Sequence, residues 1–157
     1  MTSFVRSYIW HAVESNARVI QFLLRDLPAE SVQWDARPEA DRFTLREILA
    51  HLNDYDTVSR ERFEHLIRED EPELGDWDPT EAAAHYDARE PLHQLENLLV
   101  SRREFSAWLE GLSDSEWMRT GTRPRAGRFS VEEGAALLVA HDAYHIAQIT
   151  EWLDATK

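Results

Sequence analysis

The chain carries an internal repeat, and that repeat limits the folds open to it more than any other feature. Arg37-Pro38-Glu39-Ala40-Asp41-Arg42-Phe43-Thr44-Leu45-Arg46-Glu47 aligns with Arg123-Pro124-Arg125-Ala126-Gly127-Arg128-Phe129-Ser130-Val131-Glu132-Glu133 at a constant offset of 86. Six of the eleven pairs are identical, and two more are Thr/Ser and Leu/Val exchanges. The same offset sets Phe22 on Trp108 and Leu23 on Leu109, and a tryptophan, Trp34 or Trp117, precedes each copy. Self-similarity at a fixed offset marks a duplicated structural unit. The unit reads as a helix, a long loop and a second helix, with residues 1–71 forming one copy and 87–157 the other. The segment between them carries the breakers Pro72, Gly75 and Pro79.

The repeated piece is a helix start. Thr44 and Ser130 stand at N-cap positions, where a hydroxyl accepts from otherwise unpaired backbone N–H groups. Glu47 and Glu133 follow three residues later and complete capping boxes, and Phe43 and Phe129 stand where a hydrophobic staple would. Four helices follow, over about Ser3–Leu27, Leu45–Arg68, Pro91–Glu110 and Val131–Asp154, with a short helix expected within Pro79–Tyr86. Each carries an apolar stripe: Val5, Ile9, Val13, Ile20 and Leu24 on the first, Leu92, Leu95, Leu98, Leu99 and Leu109 on the third. No long period-two run competes. Two helix pairs can bury such stripes only against each other, so the expected fold is all-α. It is a four-helix bundle of two pseudo-symmetric helix pairs, forming one domain over residues 1–157, with a long crossover between helices two and three. A connection of that length suggests that helix three does not simply return beside helix two.

Charge narrows the partners. Thirty acidic and 17 basic side chains leave a net charge of −13, which opposes binding to nucleic acid and to anionic membranes. Arg119, Arg123, Arg125 and Arg128 form a local basic cluster that reads as a solvated loop, with a small-anion site as the alternative. No apolar run resembles a signal peptide or a membrane span, so a cytoplasmic location is expected. With no cysteine in the chain, thiolate metal sites and cysteine nucleophiles are excluded.

His141 and His145 are four apart on helix four, on one face and roughly 6 Å apart along the axis. Leu138 lies one turn before the pair and Ile149 one turn after it, so both rings should face the interior. Two buried imidazoles on one stripe need partners for four nitrogens. His51 sits at the edge of the helix-two stripe. The offset places Tyr55 on His141 and His51 one turn before it, so the three histidines lie at similar depth on two equivalent helices. Helices 8–10 Å apart can bring such side chains to one point. Three neutral imidazoles suit one divalent ion, Zn, Ni, Fe, Co or Mn, and leave a position open for water or another ligand.

The neighbours are less informative. His11, His65, His85 and His93 read as surface or loop residues, and Asp142 as surface charge pointing away from the stripe. Gln148 reads as a ligand-orienting residue or an interhelical hydrogen bond. Asp54, Tyr55 and Asp56 are candidates to support the site, and Trp10 and Trp152 to wall a pocket.

Two segments carry a family resemblance: Phe43-Thr44-Leu45-Arg46-Glu47-Ile48-Leu49-Ala50-His51-Leu52 and His141-Asp142-Ala143-Tyr144-His145-Ile146-Ala147-Gln148-Ile149. On these the chain resembles the DinB/YfiT-like superfamily of metal-dependent enzymes. The resemblance implies metal-binding roles for His51, His141 and His145, and a four-helix bundle with a crossover between helices two and three. The family often has Gly-Gln where this chain has Ala147-Gln148. Relatives include S-transferases that use thiols such as bacillithiol or mycothiol, a mycothiol-dependent maleylpyruvate isomerase, and metal-dependent hydrolases. The resemblance thus implies a small-molecule substrate and a homodimer. The expected activity is a thiol-dependent S-transferase acting on small electrophiles, with a hydrolase and a non-enzymatic metal- or ligand-binding bundle as alternatives.

Overall fold

The computed structural model describes residues 3–125 and 127–156; Met1, Thr2, Ala126 and Lys157 lie outside the described residues. Four long helices carry the structure: α1 (Ser3–Leu24), α2 (Leu45–Arg68), α4 (Pro91–Glu110) and α6 (Val131–Ala155). Between them lie a 3-10 turn (Val32–Trp34), the short helices α3 (Thr80–Ala83) and α5 (Asp114–Trp117), and a hairpin of β1 (Thr120–Arg123) and β2 (Gly127–Ser130). Both capping boxes form. The Thr44 hydroxyl accepts from Glu47 N–H at 3.2 Å, while the Glu47 carboxylate accepts from Thr44 N–H at 2.8 Å. Ser130 and Glu133 repeat the exchange at 3.1 and 2.8 Å.

The helices interlock across the repeat. α1 packs against α4 and α6, and α2 packs against the same two, so consecutive α1 and α2 stand across a diagonal. Asn53 bonds Gln94, Asp56 bonds Arg102 and Phe63 meets Phe105, so α2 and α4 run parallel. Helix three does lie beside helix two, but in the same direction rather than as a return. A 24-residue helix is about 36 Å long, and a parallel neighbour can be reached only by travelling back that distance. Residues 69–90 make that journey. The order is up, down, down, up, which relates α1–α2 to α4–α6 by a twofold axis.

The hairpin departs from the all-helical expectation. Strands of four residues are too short to show a period of two, and the pairing is set by backbone hydrogen bonds, Thr120 opposite Ser130 and Arg123 opposite Gly127. It clasps the crossover. Leu74 N–H donates to Thr122 O at 2.8 Å, and Thr122 N–H to Pro72 O at 2.9 Å. A Cβ on Gly121 would lie 2.5 Å from Pro72 O, so only glycine permits this approach. The basic cluster therefore lies on and beside a hairpin and is ion-paired, although Arg125 and Arg128 remain exposed to solvent. Arg119 pairs with Asp70, Arg128 with Glu71 at 2.6 Å, and Arg123 and Arg125 with Asp76 at 3.3 and 3.7 Å.

Two apolar clusters fill the bundle. One gathers Ile20, Leu24, Trp34, Ile48, Leu98 and Trp152; the other gathers Val13, Phe63, Leu66, Leu109, Trp117 and Leu138. Val5 and Leu92, read into the stripes, are instead exposed. Between the clusters lies a polar layer of Asp56, Arg102 and Asp142, all buried.

At Gly134 α6 packs closely on α2, because a Cβ there would sit 2.4 Å from the Phe63 ring. Gly→Ala inside a helix normally stabilises by about 1 kcal/mol. Here overpacking, costing about 1–3 kcal/mol, reverses the sign. Gly134→Ala is expected to lower Tm by several degrees, and a melt at or above wild type would contradict this packing.

Candidate metal centre

His51 comes from the second turn of α2 and His141 and His145 from the middle of α6, which runs antiparallel to it. Their Nε2 atoms converge. His51 Nε2 lies 3.1 Å and His145 Nε2 3.3 Å from His141 Nε2, and one ligand atom from each of the three lies within 4.8 Å of the others. His51 and His145 are buried and His141 is half-buried.

Hydrogen bonding assigns the tautomer of His145. Gln148 Nε2–H donates to Phe43 O at 3.0 Å, which turns its Oε1 towards His145 Nδ1 at 3.2 Å. The ring therefore carries its proton on Nδ1 and offers an Nε2 lone pair to the cluster. Burial is the main cause that keeps all three rings neutral, holding His51 down to about 4, His141 to about 3 and His145 to about 4. A proton on His141 Nε2 could serve one of its two neighbours but not both. The cluster thus holds more lone pairs than protons. Two nitrogens bound at about 2.0–2.1 Å to one ion lie roughly 2.9–3.4 Å apart, so three neutral imidazoles with the His51–His141 and His141–His145 spacings of 3.1 and 3.3 Å suit a single divalent cation. His51 Nδ1 and His141 Nδ1 are buried without hydrogen-bond partners.

Aromatic rings wall the centre. Tyr55 stacks on His141 with centroids 4.0 Å apart, and Trp77, from the crossover, stacks on His51 at 5.5 Å. Phe43 packs at 5.1 Å from His51 and meets the edge of buried Tyr86. A pocket of about 290 Å³ opens over the three imidazoles, with Arg42, Asp41 and Tyr144 around it. Trp152 lies beneath Arg42 and donates to Phe43 O at 3.0 Å.

Of the residues expected near the site, Tyr55, Gln148 and Trp152 are there. Asp54 instead pairs with Arg89 at 2.7 Å, and Trp10 stacks on His11. His11, His85 and His93 are exposed; His65 is half-buried and pairs with Glu69 at 2.9 Å. Asp142 is a correction. It is fully buried and holds Arg102 through two bonds of 2.6 and 2.7 Å. Because α6 is covered by α1 and α2 together, its buried arc is wider than one stripe. Arg102 also bonds Asp56 at 2.6 Å, and Asn16 bonds Asp142 at 3.3 Å, so all four helices meet at this layer. The signal was in the repeat, since the offset of 86 that pairs Tyr55 with His141 also pairs Asp56 with Asp142. Trp77 had a weaker signal, a large aromatic ring in a segment otherwise rich in breakers.

Bundle topology and site together define a class of helical proteins with three imidazoles gathered at one point. The chain belongs to the DinB superfamily, whose sequence model matches residues 8–149. Two relatives bear the name "Putative metal-dependent hydrolase". The protein OB0782 of Oceanobacillus iheyensis is 26% identical over 139 residues, covering 88% of this chain and 80% of its own length. The protein BH0277 of Halalkalibacterium halodurans is 26% identical over 116 residues, covering 73% and 68%. Among solved structures, YfiT from Bacillus subtilis, described as "a probable metal-dependent hydrolase with an unusual four-helix bundle topology", shares the fold with a TM-score of 0.87. It is 21% identical, and the match covers 97% of this chain and 87% of that one. No helix among the described residues is long and apolar enough to cross a membrane.

Two outcomes are expected. Folded imidazoles held below the ordinary 6.5 bind protons less readily than unfolded ones, so stability falls as pH drops from about 6.5 towards 4. Asp56, pushed up to about 6 by burial against the pull of Arg102, opposes this, but it is one group against three. Metal-free protein should melt several degrees lower at pH 5 than at pH 7; an unchanged Tm would refute the neutral, buried cluster. Separately, Arg102→Ala strands two buried carboxylates and should cost about 3–5 kcal/mol in denaturant unfolding. Replacing Arg102, Asp56 and Asp142 together with leucines should recover much of that loss.

Proposed function

We propose that this chain, as one DinB-like domain, is a metal-dependent hydrolase of small molecules whose divalent ion is held by His51, His141 and His145. The observation that carries the reading is the convergence of three neutral imidazoles, with His51 and His145 Nε2 at 3.1 and 3.3 Å from His141 Nε2, beside an open pocket. The names of the relatives agree with it. Such an ion supplies a Lewis acid that acidifies a water or thiol and polarises a carbonyl.

The protein's own groups do the rest. Gln148 holds His145 in the tautomer that presents Nε2. Burial keeps the three rings unprotonated near neutral pH, so they need not shed protons before binding a cation. Trp77, Tyr55 and Phe43 exclude water from the sides of the cluster, leaving the pocket lined by Arg42 and Tyr144 as the approach. That approach admits a thiol as well as a water. With no cysteine in the chain, a thiol would have to be supplied, so a low-molecular-weight thiol S-transferase of the bacillithiol or mycothiol type is the second reading. Zn or Ni is the ion expected in a purified sample, and a cytoplasmic homodimer belongs to the same proposal.

The test is elemental analysis of tag-free protein beside His51→Ala, His141→Ala and His145→Ala, then turnover of esters, amides and lactams with and without added thiol. About one divalent ion per chain, lost from each variant, with turnover that needs no thiol, is the expected result. Turnover of electrophiles only when thiol is present would favour the transferase. A wild type that takes up no ion from Zn, Ni, Co, Fe or Mn would sink both.

A further inference from the structure

Beside the histidine cluster, behind the Tyr55 ring, lies a second cavity of about 110 Å³ between α2, α6 and the hairpin. Its polar lining includes Arg62, Arg123, Tyr55 and Ser59. Arg62 is half-buried, and its only hydrogen bond among the described residues is Nη2–H to Gly75 O at 3.0 Å. No carboxylate pairs with it there. The Arg123 side chain is 17% exposed; Nη2 lies 3.3 Å from Asp76, while its Nε is buried with no partner. Asp76 is shared with the exposed Arg125 at 3.7 Å, and its Oδ1 is also buried without a hydrogen-bond partner. Glu133 also lines the cavity, but its Oε2 is taken by Ser130 N–H at 2.8 Å and Ser130 Oγ–H at 3.0 Å.

This placement leaves guanidinium donors free to take an anion. The chain has 30 acidic side chains, yet a half-buried arginine is left without one beside a second arginine whose Nε is unsatisfied. A partly buried guanidinium with free N–H groups gains from an anionic partner. Guanidinium N–H groups match the two oxygens of a carboxylate or the oxygens of a phosphate. Phe63, Phe129 and Leu137 supply apolar walls around the charged end, which suits an acid on a short apolar stem.

We propose that this cavity is a binding site for a small oxyanion, a carboxylate or phosphate held between Arg62 and Arg123. Tyr55 is both its wall and the ring stacked 4.0 Å from His141, and Leu137 lies one turn before His141. The occupant therefore sits next to the candidate metal centre. That the anion belongs to the substrate rests on the hydrolase reading; the binding itself does not.

The binding test follows the Arg62 and Arg123 Nε–H signals by NMR while acetate or phosphate replaces chloride at constant ionic strength. Metal-free and metal-loaded proteins are compared, beside Arg62→Gln. Both signals should shift saturably in wild type, with or without metal, and the variant, still folded by circular dichroism, should bind at least tenfold more weakly. Shifts that chloride reproduces, or equal binding by the variant, would overturn the site. The source of the anion is tested with 4-nitrophenyl acetate and mono-4-nitrophenyl succinate on metal-loaded protein. A tenfold or larger fall in the charged-to-neutral ratio of kcat/KM in Arg62→Gln assigns the cavity to a substrate carboxylate; an unchanged ratio rejects that assignment and leaves a free anion. Oxyanion binding by a protein that takes up no divalent ion would count against the hydrolase reading alone.

Discussion

Arg102 stands where four helices meet. It reaches from α4 to Asp56 on α2 and to Asp142 on α6, and Asn16 on α1 completes the layer. Burial alone would make this guanidinium easier to deprotonate, but Asp56 and Asp142 outweigh it and hold its pKa raised. Such a triad need not make a bundle more stable than leucines would. What it does is penalise every other register. A one-turn slip of α6 would leave a buried charge unpaired, and it would carry His141 and His145 away from His51. The apolar clusters on either side of the layer have no comparable preference, because hydrophobic burial is not directional.

The site follows from that register. Asp142 adjoins His141, and Asp56 adjoins Tyr55, so the residues that lock α2 against α6 are sequence neighbours of those that meet at the centre. Tyr55 and His141 are equivalent under the repeat and stack on each other, which places the centre close to the pseudo-twofold axis. Symmetry is broken there: one equivalent position carries a ring that stacks and the other a ring that can ligate. An axis-side position is reached by side chains from both halves, which is why a duplicated helix pair can assemble a three-imidazole cluster with only one histidine from the first half.

Much of this was legible in the chain. The repeat and the two capping boxes placed the starts of α2 and α6, since N-cap chemistry is local and needs no tertiary partner. The four-residue spacing of His141 and His145, with the symmetric depth of His51, already implies that the three lie together. Asp142 was misread because a stripe drawn from apolar residues omits charges that are buried by pairing. The hairpin and the ion pairs of Arg119, Arg123, Arg125 and Arg128 were invisible, because their partners lie some fifty residues away in the crossover.

By itself the sequence determined what depends on neighbours along the chain: where helices begin, which faces are apolar, which imidazoles share a turn, and that the whole is built twice. Only the tertiary structure decided what depends on neighbours across it. That α2 and α4 run parallel, that Trp77 closes over His51, that Asp142 belongs to the core and that Arg62 is left without a carboxylate are all consequences of packing. They depend on distances between segments far apart in sequence, and local propensity and periodicity carry no information about those distances.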